Sequence, residues 1–368
     1  MKTVLFLGAG ASADAGYPVT AHLLREMEKH VSDTPFHQDR KDWELFKEFR
    51  ESTNEPLSTI LRSSNPELVL TIPDLLEAAL NDGDAENWRQ AVQNGDQGNP
   101  EEYWTGPRRE QLAQGVLAKR AFQRLADNFF SHKHCYDSQD SGRNRRCYLE
   151  KAFASLKKGD TVITTNWDTL AERVLLDQGR WFPTDGYGFK VLIVSGPEWD
   201  PGRQRRLNRS SQIKVLKLHG STGWFRNEGE SGGFYLRSPS YLQYLVPPGH
   251  AEIRDAQSPP PGHGDDLNPV VVFPSYLKQL DDEVLQSIWD RAAKALYSSG
   301  HITFVGYSLP LADVAVRALL NPIRKRLSEG KCSVTVVIGT DAQAETRWKA
   351  FLGSEVEVVK KTAKEFFG

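Results

Sequence analysis

Apolar positions along the chain gather into a few short continuous runs, each ending in small or polar residues. The first, Val4 to Leu7, opens VLFLGAGASADAGYPVT (Val4–Thr20). The others lie in DTVITTN (Asp160–Asn166), IKVLKLHG (Ile213–Gly220), HITFVGYS (His301–Ser308) and CSVTVVIG (Cys332–Gly339). Unbroken apolarity rich in β-branched residues fits strands covered on both faces, as in a parallel sheet. PVVVF (Pro269–Phe273), which runs into Pro274, is a further strand candidate. Helical spacing follows several runs: Val19, Leu23, Leu24 and Met27 after the first, Leu170, Ala171, Val174 and Leu175 after the second, and Val314, Ala315, Ala318 and Leu319 after HITFVGYS. Strand, turn and helix, repeated, predict an α/β fold built on a doubly wound parallel sheet.

Residues 31–159 break that rhythm. They hold no strong strand signal, while WELFKEFRES, IPDLLEAAL, REQLAQGVLAKRAFQRLADNFF and YLEKAFASLKK all read as helices. The expectation is one domain over residues 1–368, with residues 31–159 as a large helical insertion within it. Asn81–Pro107, rich in Gly, Asn, Asp and Glu, reads as a mobile loop of that insertion. Leu245–Pro269 is too rich in Pro and Gly for regular structure, and reads as a loop near a site or a linker.

Composition removes several function classes. Lys2, the first apolar run and Ala11–Ala13 imitate an export signal, but the unbroken run is four residues long, where a signal needs roughly 7 to 15. No window approaches the ~18 continuous apolar residues of a membrane helix, so no membrane association is expected. The cysteines, Cys135, Cys147 and Cys332, are three in number and cannot close a disulfide framework, which makes a cytoplasmic location the expectation. Lys plus Arg is 46 against 48 for Asp plus Glu, a net charge of −2. Such a balance offers no global attraction to nucleic acid, and no direct nucleic acid partner is expected.

Chemistry concentrates where the strands end. Gly8, Ala9, Gly10, Ser12 and Ala13 form a G-x-G-x-x-A turn between a strand and a helix, the context of a dinucleotide fingerprint. Glycines there permit a tight turn and close approach to a pyrophosphate, amides at the helix start face the anion, Ser12 adds a hydroxyl, and Pro18 suits an early helical position. The competing reading is a small-residue turn needed only for packing. The acidic strand end expected about 20 residues further on in an NAD dehydrogenase is missing, since Asp33–Asp42 reads as helical or irregular.

TTNWDTL delivers Thr165, Asn166 and Asp168 to a second strand end. Asp168 has a structural role available, as a helix cap, whereas Asn166 can donate to and accept from a sugar hydroxyl. KLHGSTGW brings His219 to a third strand end, with an imidazole that titrates near neutrality. VGYSLPLAD brings Gly306 and Ser308 to a fourth, with Asp313 read as the cap of the following helix. A parallel sheet carries all four ends to one edge.

GAGAS, TNWD, LHG and GYSLPLAD, in this order, resemble the glycine turn, the T-Q-N-I-D segment, the His-Gly and the later G-x-S turn of the sirtuin fold. More closely, the chain is similar to sirtuin-like domains of bacterial antiphage defence systems, which hydrolyse NAD. IPDLLEAAL looks like a helix of that branch. The resemblance implies a sirtuin-like, Rossmann-like doubly wound sheet. Two features depart from protein-deacylating sirtuins: only Gly16 and Pro18 remain of their G-I-P-x-F-R segment, and three cysteines cannot build their four-cysteine zinc ribbon. His132, His134, Cys135 and Cys147 fit no standard metal spacing, and no metal is expected.

The resemblance further implies that NAD is the substrate, with its pyrophosphate over Gly8–Ser12, its adenosine near Gly306 and Ser308 and its nicotinamide ribose between Asn166 and His219. His219 is then the base, Asn166 the ribose holder and Asp168 a grip on the carboxamide, with Thr165 beside them. The implied function is NAD hydrolysis to nicotinamide and ADP-ribose by an NAD-depleting defence effector. Homo-oligomerisation or a separately encoded HerA-like ATPase would switch it on. The alternatives are an NAD-dependent protein deacylase and a catalytically silent NAD or ADP-ribose sensor.

Overall fold

The computed structural model describes residues 1–34, 36–52, 60–80, 107–131, 147–189, 192–193, 210–227, 234–237, 244–246, 267–276 and 283–368. Their strands, in chain order, are β1 (Lys2–Leu7), β2 (Thr161–Thr164), β3 (Leu192–Ile193), β4 (Lys214–Lys217), β5 (Gly220–Asn227), β6 (Phe234–Arg237), β7 (Tyr244–Val246), β8 (Leu267–Val271), β9 (Ser299–Val305), β10 (Ser333–Ile338) and β11 (Glu357–Lys360). Six of them form a parallel sheet in the order β11-β10-β9-β1-β2-β4. This is the mixed α/β, Rossmann-like architecture that the strand and helix pattern predicts.

Register does the positioning. Leu7 pairs with Thr164 on one side and Val305 on the other, and Thr164 pairs with Lys217. The ladder then continues one residue further: Gly8 N donates to Val305 O (2.9 Å), Thr165 N to Leu7 O (3.2 Å), Leu218 N to Thr164 O (2.9 Å) and Gly306 N to Val337 O (2.9 Å). Every strand therefore leaves the sheet at the same height. From β1 the sheet grows through β2 to β4 on one side, and through β9 to β10 and β11 on the other. Connections leave in opposite directions from β1 and β9, which opens a crevice at their carboxyl ends.

Helices α1 (Gly10–Ala13), α2 (Leu23–Asp33), α3 (His37–Ser52), α4 (Pro66–Leu80), α5 (Pro107–Ser131) and α6 (Leu149–Ser155) follow β1 before β2 begins. The four predicted helices of this region are all present, α4 even with Pro73 inside it. Aromatic side chains bind α3 and α5 together and to the chain beyond β8: Phe46 lies 4.8 Å from Phe122, and Phe122 meets Phe273 edge-on at 5.3 Å. Arg124 of α5 holds Asp42 of α3 through both carboxylate oxygens, at 2.6 and 3.1 Å. Lys119 reaches Asp74 (2.7 Å) and Glu77 (2.5 Å) of α4. Beyond β2, α7 (Leu170–Asp177), α8 (Glu283–Ser298), α9 (Val314–Ser328), α10 (Ala342–Leu352) and α11 (Ala363–Phe367) complete the helices of the described residues.

Several expectations need correction. PVVVF does not join the parallel sheet; β8 ends at Val271 and belongs to a second, antiparallel sheet, β3-β7-β6-β5-β8, that the apolar runs do not announce. Leu245–Pro269 is not wholly irregular, because its ends fall in β7 and β8. β11 is an unforeseen edge strand whose apolar run is only two residues long. The helix after HITFVGYS exists as α9, but its buried stripe is Val316, Leu320 and Ile323, while Val314 and Ala318 are exposed. Pro18 lies in a connecting stretch ahead of a short turn at Thr20–His22, outside any helix. Residues 81–106, and with them most of the anticipated mobile loop, lie outside the described residues, as do His132, His134 and Cys135; Cys147 is buried.

Three glycines are fixed by backbone contact. A Cβ at Gly8 would stand 2.5 Å from Tyr307 Cα, one at Gly10 2.9 Å from Gly306 Cα, and one at Gly306 (φ +64°) 2.1 Å from Ala11 N. Gly306→Ala is expected to lower the unfolding free energy by about 2 to 4 kcal/mol, combining left-handed strain with overpacking. Gly16 (φ +85°) has open space around its Cβ position, so Gly16→Ala is expected to cost about 1 to 2 kcal/mol from backbone strain alone. Denaturant unfolding of the two variants checks the difference.

Candidate functional site

A cavity of about 880 Å³ opens along the carboxyl edge of the parallel sheet, within the ~300 to 1,000 Å³ of small-molecule sites. Ala9, Gly10, Ser12, Thr165, Asn166, Asp168, His219, Gly306 and Ser308 all line it; Gly8 is not among its lining residues. Four strand ends far apart in sequence thus meet in one space. Tyr17, Phe130 and Trp167 form an apolar wall, with Tyr17 stacked on Phe130 at 5.9 Å and Phe130 edge-on to Trp167 at 5.7 Å.

Asn166 ties two of these turns together. Its side-chain amide donates to Gly8 O and to Ser12 Oγ, both at 3.0 Å, and its backbone N–H takes Thr164 Oγ1 at 3.0 Å. Its Oδ1 is buried and has no hydrogen-bond partner. A buried carbonyl oxygen costs about 1 to 3 kcal/mol when left unpaired, and Asn166 is also one of the residues that line the cavity. Asp168 does cap the next helix, since Oδ1 accepts from Leu170 N (3.0 Å), and it lines the cavity as well.

The amides of Gly8, Gly10, Ala11 and Ser12 all donate inside the protein, to Val305 O, Gly306 O, Gly8 O and Ala9 O. What the small residues provide is the close crossing of the β1 and β9 turns. The β9 turn is tense: buried Leu309 has φ +53°, the one positive φ among described non-glycine residues. Such a conformation costs of order 1 to 3 kcal/mol and persists only where its surroundings hold it. Arg347 does part of this, donating from Nε to Ser308 O (2.8 Å) and from a terminal nitrogen to Asp341 (2.9 Å).

Asp313, read from the sequence as a helix cap, has other partners. It stands at the cap position of α9, yet its carboxylate caps nothing there. One oxygen accepts from Tyr307 Oη at 2.6 Å and the other lies 3.4 Å from His219 Nε2. All three side chains are buried, and His219 and Asp313 both line the cavity. Burial first, and the Asp313 carboxylate second, push the Tyr307 phenol well above its usual range. The phenol therefore stays protonated and donates to the carboxylate. A carboxylate in that place orients an imidazole and stabilises the charge it gains on taking a proton. The only sequence signal was an acidic residue a few positions after a buried tyrosine.

Among the described residues no cluster of His, Cys, Asp or Glu is arranged to hold a metal ion, and no helix is long and apolar enough to cross a membrane. Residues 160–356 match the model of the SIR2-like domain. Among solved structures, the chain is similar to a Sir2 bound to deacetylated p53 peptide and 3′-O-acetyl ADP ribose, at 12% identity and a TM-score of 0.40, with 100% of this chain and 90% of that one covered. A structure on sirtuin substrate affinity (14%, TM-score 0.34) and a Sir2 with p53 peptide and NAD+ (12%, TM-score 0.34) are covered to the same extents. No curated protein matches the chain at comparable significance.

Tyr307→Phe is expected to destabilise the protein by about 1 to 3 kcal/mol, because a buried carboxylate loses a donor. The pH dependence has a definite sign. A phenol whose folded pKa is raised contributes stability that is fully present below the unfolded value of about 10 and is lost as pH rises past it. Denaturant melts across that alkaline interval should show wild type losing more stability than Tyr307→Phe; equal losses would dismiss the assignment.

Proposed function

The chain belongs to the SIR2-like domain family, and from that premise we propose that it hydrolyses NAD at the nicotinamide–ribose bond, giving nicotinamide and ADP-ribose. Membership supports NAD-related chemistry in general. The observation that carries the finer reading is the meeting of Asn166, with its unpartnered Oδ1, and His219, backed by Asp313, in one cavity of cofactor size.

In this reading adenosine lies near Gly306 and Ser308, the pyrophosphate passes Ala9, Gly10 and Ser12, and the nicotinamide ribose sits between Asn166 and His219 with Thr165 alongside. Nicotinamide leaves as a neutral amine, taking both electrons of the C1′–N bond, so no strong acid is required. The site has instead to support an oxocarbenium-like sugar and supply water to it. Asn166 Oδ1 accepts from a ribose hydroxyl and fixes the ring. His219 takes a proton from the water that bonds to C1′, and Asp313 stabilises the imidazolium that results. Asp168 presents negative charge toward the developing cation and a contact for the carboxamide.

The role of NAD-depleting effector in antiphage defence, switched on by self-assembly or by a HerA-like ATPase, rests on the resemblance of the motifs and on the harm a constantly active NAD hydrolase would do its host. Proton NMR of NAD incubated with the purified chain, alone and with neighbouring gene products, tests the reading. His219→Ala and Asn166→Ala should each slow nicotinamide release at least ~100-fold, and undiminished release by either would sink the assignment. Acetyl-lysine turnover with O-acetyl-ADP-ribose formation would make the chain a deacylase, and tight NAD binding without turnover would make it a sensor.

A further inference from the structure

Carbonyl groups just beyond the strand ends have left the sheet ladder, and buried or half-buried side chains hold several of them. Trp289 Nε1 donates to Leu218 O (2.9 Å), Trp167 Nε1 to Val272 O (3.1 Å) and Trp348 Nε1 to Tyr307 O (2.9 Å). The carbonyl of Asp168 is held by a charged group, the ammonium of Lys217.

Lys217 is 0% exposed and is the last residue of β4, two positions before His219. Its charge is balanced by Glu172 of α7, also 0% exposed, at 3.1 Å. Tyr187 donates to the same Glu172 oxygen at 3.3 Å, while Glu172 Oε2 has no partner. Burial raises the Glu172 carboxyl above its usual range, against the pull of Lys217. Desolvating such a pair costs as much as its attraction restores, and a well-packed apolar pair of similar volume is often at least as stable. Stability alone therefore gives no reason for an ammonium here, where two residues with apolar side chains would serve.

Its position does give one. Thr164 and Lys217 are paired across β2 and β4, and the turn Thr165–Asp168 leaves the sheet directly above them. The ammonium reaches from β4 to the last peptide of that turn, while Asn166 is tied to β1 at the other end. A cation is the strongest donor available for a single carbonyl. Its partner Glu172 also cancels a positive charge that would otherwise oppose an oxocarbenium-like sugar.

We propose that Lys217, neutralised by Glu172, is a positioning residue that locks the Asn166–Asp168 turn against His219 for NAD cleavage. This rests on the hydrolase reading. The test is the full-length double variant Lys217→Met/Glu172→Leu, which removes both charges together and so leaves no orphan ion. Its melting temperature should stay at or above that of wild type, kcat for nicotinamide release should fall at least tenfold, and KM should move less than threefold. Hydrogen exchange should rise in residues 164–172 and not elsewhere in the parallel sheet. Unchanged kcat, or unchanged exchange in that segment, overturns the proposal. If wild type releases no nicotinamide under any condition, the hydrolase reading fails, and the exchange profile still decides whether Lys217 holds the turn. Should the double variant not fold, Lys217→Met/Glu172→Gln carries the same comparison.

Discussion

Two backbones touching without side chains between them set the geometry of this site. The turn after β1 crosses the turn after β9 so closely that a single methyl group on Gly8, Gly10 or Gly306 would meet main-chain atoms at under 3 Å. That contact fixes the separation of the two central strands at the height where every strand leaves the sheet. Asn166 then locks the β2 turn onto this crossing through Gly8 O and Ser12 Oγ. His219 is placed from the far side by β4, and Asp313 from the near side by the β9 turn. A shift at the crossing would displace all of them at once.

The polar groups around the cavity are arranged with unequal freedom. Asp313 lies between the Tyr307 phenol, which donates to it, and the His219 imidazole. Lys217 and Glu172 cancel each other beneath the Asn166–Asp168 turn. Asn166 Oδ1 is left over. Low dielectric makes satisfied groups rigid and unsatisfied ones costly, and the frame here includes two buried acceptors without partners, Asn166 Oδ1 and Glu172 Oε2.

The parallel sheet was legible in the sequence because strands buried on both faces write themselves as unbroken apolar runs. β11 was not, since EVVK offers only two adjacent apolar residues between charged ones. The antiparallel sheet escaped for a related reason: β3 and β7 are two and three residues long, too short to carry a pattern. In α9 the helix was legible and its phase was not, because Val314 looks like a core residue by type but is exposed. The strand-end residues Asn166, Asp168, His219 and Ser308 could be named from position alone. Asp313 could not, because the partners that take its carboxylate away from the helix end are set by tertiary contact.

The covalent path through His219 has a consequence of its own. The residue ends the run of β4 in the parallel sheet, and the next residue, Gly220, opens β5 of the antiparallel sheet in a left-handed turn closed by Val272 N on His219 O. The imidazole is therefore mounted on a joint between two sheets, while its carboxylate partner is mounted on only one. The imidazole and its carboxylate partner thus reach their 3.4 Å separation along different paths of the chain.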